Sequence, residues 1–107
     1  MEAEPLVVLT TVATPEAAAQ LARRLVEERL AACVQVMPGG TATYRWQGAL
    51  YEEAQTQLII KTTNSAWERL RARIVELHSD AVPEILALPV TDGLPAYLAW
   101  LGESTAP

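Results

Sequence analysis

The chain has 107 residues, half of them hydrophobic and 20% charged, with 13 acidic side chains against 8 basic ones and a formal net charge of −5. That length and composition predict a single domain over residues 1–107 with a packed core, and exclude a disordered chain. The acidic balance argues against nucleic acid as a partner, which needs a basic face to neutralise phosphates, and no apolar run approaches the roughly 20 residues that cross a bilayer.

In chain order, Leu6 to Thr11 is an almost continuous apolar run and predicts the first strand. Thr14-Pro15 opens a helix, with threonine as N-cap, proline at the first helical position and Glu16 near the positive end of the dipole. Ala18, Leu21, Ala22, Leu25 and Arg29 trace one face of that helix. The second strand is predicted from Ala32 to Met37, interrupted by Pro38-Gly39-Gly40 and resumed from Thr41 to Trp46; the interruption reads as a bulge or bend. Tyr44 and Trp46, two apart, share one face of this strand, and Gly48 permits the turn into a third strand from about Tyr51 to Thr62. The resulting hairpin is longer than the core of so small a domain requires.

Ser65-Ala-Trp-Glu68 matches a capping box and predicts the start of a second helix, which puts Trp67, Leu70, Ile74 and Leu77 on one side. A loop through His78-Ser79-Asp80 leads to Pro83 and a short strand, Ile85 to Val90. Gly93 and Pro95 mark a turn before a last helical segment, Ala96 to Gly102, and the tail from Ser104 is expected to fray. The order predicts an α+β, ferredoxin-like split βαβ fold, βαββαβ plus a C-terminal helix, with helices on one face of an antiparallel sheet and an extended hairpin between strands two and three. Leu6-Val-Val-Leu9 and Leu58-Ile-Ile60 are apolar at consecutive positions, so both sheet faces are expected to be covered. One chain has too few elements for that, which points to self-association.

Leu25-Val-Glu-Glu-Arg-Leu-Ala-Ala-Cys-Val34, Tyr44-Arg-Trp-Gln-Gly48, Ile60-Lys-Thr62, Val82-Pro-Glu-Ile-Leu-Ala-Leu-Pro89 and Tyr97-Leu-Ala-Trp-Leu101 together resemble the CutA divalent-cation tolerance family, in order and from Leu9 to Leu101. The resemblance implies a cytoplasmic homotrimer, similar in architecture to the PII signal transducers, with a link to divalent metals and copper especially. A single cysteine, Cys33, and an N-terminus without the layout of a secretion signal also suit a reducing cytoplasm. The chain departs from the family where His78-Ser79-Asp80-Ala81 stands in place of a His-Pro-Tyr-Glu type of segment. Thr10 also replaces a cysteine that some relatives carry.

His78, the only histidine, lies six residues before Glu84. Imidazole and carboxylate suit a borderline divalent ion such as Cu²⁺, so His78 and Glu84 are the candidate metal ligands. The alternative for His78 is a C-terminal helix residue that complements the dipole. Lys61 and Tyr44 are the candidate lining of a ligand cleft for a small anion, in the manner of a regulatory trimer. Trp46, Gly48, Tyr97 and Trp100 are the candidate subunit interface, since aromatics dominate interface energetics. Cys33, in a small apolar segment, reads as a structural thiol. The acidic pairs Glu27-Glu28 and Glu52-Glu53 point apart, and Pro38-Gly39-Gly40 is too short for a nucleotide loop. No catalytic constellation is visible, so the expected role is not enzymatic, with no obligatory cofactor beyond an exchangeable divalent cation.

Overall fold

A computed structural model describes residues 3–107. The elements are β1 (Pro5–Val12), α1 (Pro15–Glu27), β2 (Cys33–Trp46), β3 (Ala49–Thr63), α2 (Asn64–Leu77), β4 (Ile85–Pro89) and α3 (Pro95–Ser104). The strands form one antiparallel sheet in the order β2-β3-β1-β4, the split βαβ arrangement that the element order predicts.

The register sorts the side chains into two faces. Val8, Thr10, Leu58, Ile60 and Thr62 are buried on the face that α1 and α2 cover, where they meet Leu21, Leu25, Leu70 and Ile74. Each fully buried aliphatic side chain contributes roughly 1.5–3 kcal/mol, and this layer is the core. The opposite face carries the alternate positions, Val7, Leu9, Ile59, Leu86 and Leu88, arranged as cross-strand neighbours. Leu86 is 56% exposed and Leu88 44%, so this apolar face is open in the isolated chain.

α1 begins as its sequence dictates: Thr14 is extended, and its hydroxyl accepts from the Ala17 amide at 3.1 Å. The helix stops at Glu27, and Arg29 lies beyond it in the left-handed region (φ 60°), exposed instead of on the apolar helix face. The amides of Leu30 and Ala31 both return to the Leu25 carbonyl at 2.9 and 3.1 Å, which satisfies the C-terminal turn.

α2 begins differently from the expectation. Its N-cap is Thr63, Ser65 is already helical, and no side chain caps the first turn. Ser65 instead bonds the Thr63 hydroxyl at 2.9 Å. Asn64 bridges to the N-terminal segment, its amide donating to the Glu4 carbonyl and its Oδ1 accepting from the Glu4 amide, each at 2.8 Å. At the other end of α2 Leu77 is 38% exposed, outside the core stripe. The tail is anchored through Thr105, which is fully buried: its hydroxyl lies 2.7 Å from the Thr63 hydroxyl and 2.9 Å from the Leu101 carbonyl. That buried hydroxyl pair holds α3 against the end of β3.

β2 is one long strand with a register shift between Met37 and Gly40, where one extra residue is accommodated and Gly39 takes φ +88°. The hairpin closes through Gln47 (φ 49°) and Gly48 (φ 84°), a two-residue turn with both central residues left-handed, between paired Trp46 and Ala49. It projects from the helix-covered layer, and the molecule measures 45 × 26 × 23 Å.

Candidate functional site

A cleft of about 600 Å³ opens between the hairpin and the loop that joins α2 to β4. Tyr44, Trp46, Ala42 and Gln55 form the hairpin wall, Asp80, Val82 and Glu84 the loop wall, and Thr11 lies between them. β2 sets the hairpin wall, because its bulge brings Ala42, Tyr44 and Trp46 onto the open side of the sheet, with Tyr44 directly across from Tyr51. The two rings stack with centroids 5.4 Å apart. The Tyr44 hydroxyl donates to the Glu53 carboxylate. That bond, with burial and the nearby negative charges of Glu53 and Asp80, pushes the phenol up to about 12.

The loop wall hangs from His78, which ends α2. Its amide donates to the Ile74 carbonyl at 2.8 Å, and its ring is tied on both sides: Nε2 donates to the Thr11 carbonyl at 2.6 Å, while Nδ1 accepts from the Asp80 amide at 3.0 Å. These partners fix the neutral, Nε2-protonated tautomer. The imidazole therefore staples the loop to the end of β1, and it can ligate a metal only by giving up one of those bonds. Asp80 and Glu84 are exposed, and neither carboxylate takes part in an ion pair among the described residues.

The residues singled out by the sequence are thus brought together in part. Glu84, Tyr44 and Trp46 line one cleft; His78 supports it from behind, and Gly48 forms the hairpin turn. Lys61 lies near the other end of β3, its ammonium 6.0 Å from the Tyr97 ring centroid. It pairs with Cys33 and Val7, ten positions from the residue opposite Tyr44. At about 3.3 Å per residue that is on the order of 30 Å, so a cleft holding both Lys61 and Tyr44 needs two chains. Tyr97 and Trp100 lean together, ring centroids 5.4 Å apart, and remain 39% and 42% exposed. Cys33 is half-buried on the open sheet side, across from Lys61.

Glu53 and Gln55 were not singled out as site residues. Both lie on the same strand face as Tyr51, and the signal for Glu53 is the cross-strand pairing of Ala42 with Glu53, which sets Glu53 diagonal to Tyr44. Among the described residues, no three His, Cys, Asp or Glu side chains cluster as a set of metal ligands. With the His78 nitrogens engaged, the donors of one chain do not fit a resident copper or zinc centre; two carboxylates match a hydrated, exchangeable cation.

Known proteins supply the context for this geometry. The sequence model of the CutA1 divalent ion tolerance protein family matches residues 6–104. The Thermus thermophilus divalent-cation tolerance protein CutA is 50% identical over 92% of this chain and 96% of its own length. The chloroplastic protein CutA of Arabidopsis thaliana is 43% identical over 94% of this chain and 55% of its own length. The solved structure of the divalent cation tolerance protein from Thermus thermophilus superimposes with a TM-score of 0.93 at 49% identity, covering 95% of this chain and 99% of the other.

Proposed function

The chain belongs to the CutA1 divalent ion tolerance protein family, and from that premise we propose that it works in divalent-cation tolerance as a non-enzymatic cytoplasmic homotrimer that binds copper or another divalent cation reversibly and with modest affinity. The cation is an exchangeable ligand at the loop wall of the cleft. Glu84 is the principal ligand, with Asp80 beside it and His78 adding a nitrogen when it releases the Asp80 amide or the Thr11 carbonyl. The observation that carries the cation reading is the pair of carboxylates without an ion-pair partner among the described residues, on a cleft that no described lysine or arginine lines. Coordination sites left open are filled by water or by a neighbouring chain, which accounts for modest affinity.

Assembly rests on a separate observation, the exposed apolar row of Leu86 and Leu88 beside Val7, Leu9 and Ile59. A second copy covers such a face at little cost, and the projecting Trp46 with the Tyr97–Trp100 pair supplies the aromatic contacts. The deciding experiment is a calorimetric titration of tag-free protein with Cu²⁺, repeated on His78→Ala and Glu84→Gln. Saturable binding that weakens about tenfold in Glu84→Gln, a loss of about 1.4 kcal/mol, is expected. Binding indifferent to both substitutions removes these residues as ligands, and absence of binding removes the copper reading.

A further inference from the structure

The helix layer carries a cluster of arginines that the cation cleft does not use. Between α2 and the turn that follows α1 lies a groove of about 410 Å³, with Leu30 and Ala72 as its apolar lining. Arg73 holds both carboxylates that line it, Glu28 through two bonds of 2.9 Å and Glu76 through one of 2.8 Å. Arg69 lines the groove one turn before Arg73, and no carboxylate pairs with it among the described residues. Its hydrogen bond, a long one at 3.4 Å, goes to the Ser65 carbonyl. The Glu28 carboxyl is held below its usual range first by the bonds from Arg73 and then by the charges of Arg73 and Arg24.

Arg29 supplies an independent sign. It stands between Glu28 and Leu30, exposed, with φ 60°, in the left-handed conformation that a helix end ordinarily gives to glycine. A long side chain held on a strained backbone points to use of that side chain. Four guanidiniums thus stand about two carboxylates that are already bridged, a local positive excess on a chain whose net charge is −5. The groove lies on the helix layer, on the opposite side of the sheet from the apolar face assigned to self-association. Copies that meet through that face leave it open.

We propose that this groove binds a small polyanion, whose phosphoryl or carboxylate oxygens take the free donors of Arg69 and Arg29 while its body sits over Leu30 and Ala72. Guanidinium forks match both kinds of oxygen in pairs. The ligand is held without covalent chemistry, and the site shares no residue with the divalent-cation cleft.

The probes are pyrophosphate and citrate, each titrated calorimetrically into the unmodified protein in metal-free buffer at low salt. Saturable binding of at least one is expected, weakening as salt rises. The tighter of the two assigns the anion as phosphoryl or carboxylate. Arg69→Gln is expected to weaken binding about fivefold or more. Arg29→Gly separates strain from binding: the melting temperature of the ligand-free protein holds or rises, because glycine accepts this backbone, while affinity falls about threefold or more with the lost guanidinium. Both side chains are exposed, and circular dichroism of each variant checks that the helices stand. Absence of binding by both anions at about millimolar concentration, or binding left unchanged by either substitution, overturns the proposal. The titration of the unmodified protein needs no variant, so a misfolded mutant cannot rescue the assignment.

Discussion

The phenol of Tyr44 and the guanidinium of Arg73 show how single side chains tie distant parts of this chain together, and in opposite directions of pH. In the Tyr44–Glu53 bond the protonated phenol is the bonded form, and its pKa is raised to about 12. A raised value means that the contact is complete below the ordinary tyrosine range near 10 and is lost as pH climbs through about 12. In an ultraviolet phenolate titration one late step near pH 12 is therefore expected; it should vanish in Tyr44→Phe and move down in Glu53→Gln. Arg73 grips Glu28 through two bonds of 2.9 Å and Glu76 through one of 2.8 Å, joining the end of α1 to α2. The hydrogen bond from Arg73 holds the Glu28 carboxyl below its usual range, so this tie is complete above that range and fades as pH falls beneath it. Neither contact was legible in the sequence. Glu28 and Arg73 are 45 residues apart, and the Tyr44–Glu53 diagonal depends on a register that composition does not reveal.

At the scale of elements, what was legible was what is local. Thr14-Pro15 marks the start of α1 through a hydroxyl that bonds three residues ahead, and Gly48 marks the hairpin turn through a backbone conformation that other residues resist. The start of α2 misled, because Ser65 and Glu68 have capping-box spacing while the actual end is fixed from outside by Glu4 bonding Asn64. The C-terminal tail misled for the same reason: Thr105 is held by Thr63, 42 positions earlier. Of the residues that line the cleft, the sequence singled out Glu84 as a metal ligand, Tyr44 as a cleft residue and Trp46 as an interface residue, but it could not show that the His78 ring is already occupied by two backbone partners. The hairpin itself is testable as an assembly element. Trp46→Ala is expected to reduce oligomeric mass in light scattering while leaving the helical circular dichroism signal nearly intact, because Trp46 is outside the core. An intact oligomer with an unchanged melting temperature would exclude the interface role.

The whole molecule is a one-sided sandwich: α1 and α2 over one face of the sheet, and on the other an apolar surface on which Leu86 and Leu88 remain exposed. Leu88→Lys, placed where the leucine is 44% exposed, is expected to leave the fold standing and, if the proposed trimer forms through this face, to yield monomer, read as a threefold drop in mass. Unchanged mass would show that this surface is not where copies meet. Across that surface β2 also behaves as two strands in sequence terms. Before the bulge its odd-numbered residues, Cys33, Gln35 and Met37, stand on the open side; after it the even-numbered ones do, Ala42, Tyr44 and Trp46. A single alternation drawn from Cys33 to Trp46 would have sent both aromatics to the helix side. The extra residue at Pro38–Gly40 is therefore slack in the thread. Loss of one residue there is absorbed by straightening the strand, with Tyr44 still opposite Tyr51 and Cys33 still opposite Lys61. A second loss has no reserve, and either the root or the tip of the hairpin must turn over. Length variation in this strand is tolerated once, and only at that point.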